Sequence, residues 1–216
     1  YRILDVIGEG GMGRVYRARH NNEDFASGQG DVAIKLMHSR FAEDPTFRKR
    51  FSQEALLGLQ LSHPNIARTY ELIDTDAHLG LVMEFVEGKP MEELLSPKGS
   101  PLADFLPILK SIAGAIDHLH SKGIIHRDLK PDNVHIRADG SPVLLDFGIA
   151  KATEDKKNMT RTGTAMGTVA YMAPEQMDAK NVTAAVDQYS LGMMVYEILS
   201  GRFPWSEEET DFQIYG

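Results

Sequence analysis

The stretch "HRDLKPDN", residues 126–133, places Asp128, Lys130 and Asn133 in one loop that Pro131 stiffens. It offers a carboxylate, an ammonium and an amide to a shared space. Further on, "LLDFG" puts Asp146 at the end of an apolar run, just ahead of a glycine. Two carboxylates and an amide suit a hard, oxygen-seeking cation such as Mg2+, which keeps several waters and takes other ligands from phosphate groups. Asp128 would then orient a hydroxyl and accept its proton. The plain alternative is a polar loop whose charges satisfy one another.

Two further features extend this chemistry. "GEGGMG" sets Gly8, Gly10 and Gly13 in a G-x-G-x-x-G spacing. In a dinucleotide fold such glycines lead into a helix. Here they lead into "RVYRARH", which alternates as a strand does, so a glycine hairpin covering phosphates competes with an ordinary turn. "VAIK" carries Lys35 inside a run that otherwise reads as a buried strand. A buried ammonium needs a partner, and Glu54, on the helix expected next, is the natural candidate.

The elements that must position these residues follow from pattern. Residues 1–20 read as two strands around the glycines, 21–31 as a polar loop, and 32–37 as a third strand. Asp44 and Pro45 open a helix as N-cap and first residue, with Phe47, Phe51, Ala55 and Leu59 along one face. "IARTYELI" and "LGLVMEF" read as two more strands. Past residue 90 the pattern turns helical: 104–121 has Phe105, Leu109, Ile112, Ile116 and Leu119 at helical spacing. "NVHIRADG" and "SPVLLDFG" are short strands, 150–168 a Thr-rich loop, and the apolar stretch 182–201 a buried helix. The order predicts an α+β chain of two lobes: a β-rich lobe over 1–86 and a mostly helical one over 87–216.

Composition narrows the partners. The chain has 216 residues, a net charge of -8 and no cysteine. The acidic balance, without a basic block, argues against nucleic acid as the main partner. Disulfides and thiolate metal sites are excluded, which permits a cytoplasmic setting. No apolar run approaches the roughly 20 residues of a membrane helix. The sequence opens at Tyr1 and is expected to be a fragment of a longer polypeptide.

Taken together, "GEGGMGRV", "VAIK", "HRDLKPDN", "DFG" and "APE" resemble the protein-kinase signature set in order and context. The chain is similar to the eukaryotic-type protein kinases, and most of all to the bacterial Ser/Thr branch. The resemblance implies the two-lobed protein-kinase-like fold, incomplete at its C-terminus, and ATP-dependent phosphorylation of protein Ser/Thr hydroxyls, with Mg2+, or Mn2+ in its place. It implies that Gly8, Gly10 and Gly13 cover the phosphates and that Lys35 binds them while paired to Glu54. Val15, Ala33, Met83 as gatekeeper, Glu84 and Val86 of the hinge, and His135 would line the nucleotide. Asp128 would be the catalytic base and Lys130 a γ-phosphate contact. Asn133 and Asp146 would hold the metal, and Asp187 would brace the catalytic loop. Thr160, Thr162 and Thr164 are candidate activation-loop phosphosites, answered by Arg127, which needs a counter-charge. Thr168 is expected to contact the catalytic loop. Protein substrates, a homodimer for phosphorylation in trans, and a parent chain anchored in a membrane belong to the same expectation. A pseudokinase scaffold and a small-molecule phosphotransferase are the competing readings.

Several residues depart from the family pattern. The arginine that would pair with Glu175 is not found before the chain ends. Gly58 and Thr69 are smaller or more polar than the residues common at their positions. His135 stands where an aliphatic side chain usually packs beneath adenine. A neutral imidazole can stack there, an imidazolium only at a cost; in the other reading Val134 or Ile136 fills the slot.

Overall fold

The computed structural model describes residues 1–146, 170–177 and 182–205. The chain divides into two compact units, Tyr1–Val86 and Glu87–Gly216.

The first unit is a five-stranded antiparallel sheet in the order β1-β2-β3-β5-β4, formed by Arg2–Glu9, Gly13–Arg19, Asp31–Met37, Leu79–Glu84 and Thr69–Asp74 respectively. Directly opposed residues in antiparallel strands share a face. Ala18, Val32, Ile34 and Val82 therefore gather on one side, and they form a buried core with Leu36, Tyr70 and Ile73 packed against it. The alternate positions of β3 carry Ala33 and Lys35 to the other face. Register sets Val15 opposite Lys35 and Met83 opposite Ala33.

The helix α3 runs Pro45–Gly58, as the Asp44–Pro45 signature predicts. The Asp44 carboxylate accepts from the amides of Thr46 at 2.8 Å and Phe47 at 3.2 Å, satisfying two of the donors that a helix start leaves open. Phe47, Phe51, Ala55 and Gly58 are buried, whereas Leu59 closes the helix half-exposed. A one-turn helix, α2 (Ser39–Ala42), precedes it, and Phe41 packs at a tilt on Phe47, which stacks on Phe51.

The connection at 21–31 is not the loop expected from its glycines. It contains the helix α1, Glu23–Gln29, capped by Asn22, whose side chain accepts from the Asp24 amide. Asn at the N-cap followed by two acidic residues favours a helix start, and this signal outweighs the glycines. Behind it, Asp31 accepts from both Arg17 and Arg19 of β2.

The second unit holds α4 (Leu102–Ser121), which includes Pro107 and buries Phe105, Leu109, Ile112, Ile116 and Leu119 on one face. A small sheet joins β6 (Lys89–Pro90), β7 (Val134–Ile136) and β8 (Pro142–Leu144). After these come α5 (Pro174–Met177) and α6 (Ala185–Ser200). The expectation that α6 is buried throughout holds for one face only. Val186, Met194 and Ile198 are enclosed, while Tyr196 and Leu199 remain 40% and 43% exposed. One stripe of α6 packs against α4, and the segment around Ser100, whose amide donates to the Ile198 carbonyl at 2.8 Å, lies against its C-terminal end. No helix among the described residues is long and apolar enough to cross a membrane.

Candidate active site

The loop that follows α4 is built around one carboxylate. Asp187, in the first turn of α6 and fully buried, accepts from the backbone amides of His126 and Arg127, each at 2.8 Å. Its Oδ2 also meets His120 Nε2 at 2.7 Å. The turn that aims these two amides at Asp187 has Arg127 at φ 62, in the left-handed region. Such positions are strained by about 1–3 kcal/mol and persist where surrounding bonds enforce them. Gln176 of α5 adds a further tie, donating to the Arg127 carbonyl at 3.0 Å.

His126 carries the order onward. Its Nε2–H donates to the Leu145 carbonyl at 3.1 Å, and its Nδ1 faces the Asp128 amide at 3.4 Å. A carbonyl can only accept and an amide N–H can only donate, so the proton sits on Nε2, Nδ1 accepts from Asp128, and this pairing fits the neutral ring. Burial pushes its pKa below the usual histidine value. One buried imidazole thus links the backbone beside Asp128 to the backbone beside Asp146.

Asp128 and Asn133 are brought together directly. The Asn133 amide nitrogen donates to the Asp128 carbonyl at 2.7 Å and to its carboxylate at 3.1 Å. With the nitrogen turned to Asp128, the amide oxygen is the end presented to a cation. Strand pairing supplies the next link. β7 and β8 pair Val134 with Leu144, so Asn133, just before β7, and Leu145, just after β8, lie at the same end of the hairpin. The Leu145 amide donates to the Asn133 carbonyl at 2.8 Å. Asp146 follows with φ 48, a second left-handed residue. Lys130 lies 3.9 Å from Asp132. The donor set, an amide oxygen and a carboxylate, matches Mg2+. Among the described residues no group of three or more His, Cys, Asp or Glu side chains could hold a metal ion.

The first unit presents its own group. Val15, Ala33, Lys35 and Met83 share one face of the sheet by register. Lys35 and Glu54 are half-buried, on β3 and α3. Glu84 ends β5, and Val86 is buried two residues on. The three motif glycines differ. A Cβ on Gly13 would meet the Leu36 carbonyl oxygen at 2.2 Å, so packing against β3 demands glycine. A Cβ on Gly10 would meet nothing within 4 Å.

His135 sits in β7 between Pro90 and Val143, half-buried, while Val134 is fully enclosed. Thr69 is buried at 5% exposure and Gly58 lies on the buried face of α3. Glu175 is half-buried in α5. Arg127 Nε is buried without a hydrogen-bond partner among the described residues. Thr160, Thr162, Thr164 and Thr168 lie outside the described residues, as do Phe147 and Gly148. Three participants escaped the sequence reading: His126, His120 and Gln176. His126 stands inside the quoted motif, but its bonds span the loop to Leu145, a pairing no spacing reveals.

The sequence profile of the family described as "Protein kinase domain" matches residues 1–215. The chain belongs to the protein kinase domain family. This kinase domain is 40% identical over 207 residues to a probable serine/threonine-protein kinase PknB of Lactococcus lactis, covering 95% of this chain and 32% of that protein. It is 40% identical over 210 residues to the serine/threonine-protein kinase PrkC of Bacillus subtilis, covering 96% of this chain and 31% of that protein. Its fold matches the crystal structure of the Mycobacterium tuberculosis PknI kinase domain with a TM-score of 0.74 at 27% identity, over 96% of this chain and 77% of that one. The kinase domain thus spans about a third of the length of these curated relatives.

Proposed function

We propose that this domain transfers the γ-phosphate of ATP to Ser or Thr hydroxyls of protein substrates. The observation that carries the reading is the Asn133 amide bound to both the carbonyl and the carboxylate of Asp128. It fixes a candidate base and a candidate metal ligand as one piece. Asp128 orients the substrate hydroxyl and accepts its proton, while Lys130 steadies the transferring phosphoryl group. Asn133 and Asp146 hold the divalent ion, and Lys35, paired with Glu54, holds the α- and β-phosphates. Val15, Ala33, Met83, Glu84, Val86 and His135 receive the adenosine moiety. When bound, Mg2+ supplies neutralisation of the charge on the phosphate oxygens. Catalysis by positioning and charge compensation needs no covalent intermediate.

Regulation belongs to the same reading. The buried Nε of Arg127 is suited to a phosphothreonine, which brings about -1.5 to -2 of charge. Thr160, Thr162 or Thr164 would supply it by autophosphorylation in trans between two copies.

The test is incubation with Mg2+ and ATP beside an Asp128→Asn control, with phosphates mapped by mass spectrometry. We expect phosphate on the Thr160–Thr164 stretch of the wild type, and transfer slower by about 10²–10⁴-fold in the variant. Equal incorporation in both proteins would remove Asp128 from its role. No incorporation, with nucleotide still bound, would favour a scaffold.

A further inference from the structure

The glycine-rich loop between β1 and β2 is tied to a segment outside it. The Gly10 carbonyl accepts from His38 Nε2 at 3.1 Å, the Gly11 carbonyl from the Arg40 guanidinium, and the Met12 carbonyl from the His38 amide at 2.9 Å. All three residues of the loop tip therefore turn their carbonyls toward residues 38–40. No peptide bond in the described chain is cis, and in a trans peptide C=O and N–H point in opposite directions. The amides of Gly11, Met12 and Gly13 are thereby aimed away from the segment as a consecutive set. Successive amides presented on one side are suited to meet an anion together.

The segment that does the tying is itself anchored. His38 is the N-cap of α2 but makes no side-chain capping bond, so its ring is available to the loop. The Arg40 guanidinium lies 4.8 Å over the Phe41 ring, and Phe41 packs on Phe47 at 4.9 Å. Glycine gives the tip no preference of its own, and nothing in the surroundings would constrain a side chain at Gly10. A backbone bond from the Gly10 amide to the Gly13 carbonyl at 2.9 Å closes the tip and the His38 amide holds Met12; the carbonyls of Gly10 and Gly11 are oriented by the two side chains.

We infer that His38 and Arg40 are positioning residues for polyphosphate binding, holding the glycine-loop carbonyls so that its amides face the phosphates of the nucleotide. The inference rests on the proposed ATP-dependent reaction and adds two residues outside the signature motifs. Neither touches the phosphates in this role; both act through the backbone of residues 10–12. An ordinary fold-stabilising role predicts a different pattern, because adenosine would then be affected along with ATP.

The test compares the affinities of Mg2+-ATP and adenosine by titration calorimetry, using the whole chain and melting curves to check folding. We expect His38→Ala and Arg40→Ala each to weaken ATP about three- to tenfold, with adenosine unchanged. His38→Gln, which keeps an N–H donor, should retain most of the wild-type affinity. The KM for ATP should rise by a similar factor with kcat less affected. Equal ATP affinity in wild type and both alanine variants would overturn the inference, as would a parallel loss for ATP and adenosine. If the wild type itself binds no ATP, the proposed reaction fails first and the inference with it.

Discussion

His126 has no exposed surface, and both ring nitrogens are engaged, one as donor and one as acceptor. Its folded-state pKa is depressed by burial, so at mildly acidic pH the unfolded chain binds a proton that the folded chain refuses. Stability from this group is therefore complete above the ordinary histidine value of roughly 6.5 and is lost as pH falls from there toward the folded-state value, at up to about 1.4 kcal/mol per pH unit. Denaturant unfolding at pH 7.5 and 5.5 should show a lower midpoint at 5.5. The drop should be smaller in His126→Gln, which cannot titrate. An identical drop in both proteins would assign the effect to other groups. At this scale the sequence was legible where contacts fall within one motif: Asp128 and Asn133 stand in one recognisable word and are hydrogen-bonded to each other. The resemblance also placed Asp187 against the catalytic loop, where it accepts from the His126 and Arg127 amides, but its bond to His120 was not legible. Asp187 and His120 are 67 positions apart, and only the packing of α6 on α4 makes them neighbours.

The elements that carry site residues are held by local devices, and these were the most readable part of the chain. Asp44 at the N-cap and Pro45 behind it announced α3, the helix that bears Glu54, and the Asp44 carboxylate does accept two amides there. Replacing Asp44 by Ala should cost about 1 kcal/mol of stability, measurable by urea unfolding. If the loss reaches the site, the KM for ATP should rise as well; unchanged unfolding would mean that water replaces the cap without loss. The hairpin β7–β8 was legible as two apolar runs, but its consequence, Asn133 beside Leu145, depends on register, which turn composition alone did not show. The connection at 21–31 went wrong for a definite reason. Gly28 and Gly30 point to a loop, but a capped start at Asn22 with acidic Glu23 and Asp24 carries a short helix as far as Gln29, with Gly28 in its last turn.

At the scale of the molecule, the net charge of -8 means that in the proposed reaction nucleotide phosphates would be met by local groups, the glycine-loop amides and Lys35, rather than by a general basic field. Binding at such a site must then appear in the stability of the chain. At a Mg2+-ATP concentration about 100 times Kd, linkage adds about 2.7 kcal/mol, and for a chain of this size that raises Tm by roughly 5–10 °C. Differential scanning fluorimetry should show this rise for wild type and Asp128→Asn, and a much smaller one for Lys35→Ala. A rise no greater than Mg2+ alone produces would count against nucleotide binding. The helix α1 has a practical use in such experiments. Its side chains from Glu23 to Gly28 are exposed apart from half-covered Ala26. The Asn22 cap fixes its start, and beyond its end Asp31 grips Arg17 and Arg19. Because the chain carries no cysteine, a single one placed on α1 would give an attachment point for a fluorophore, at a stretch that contributes none of the proposed catalytic residues.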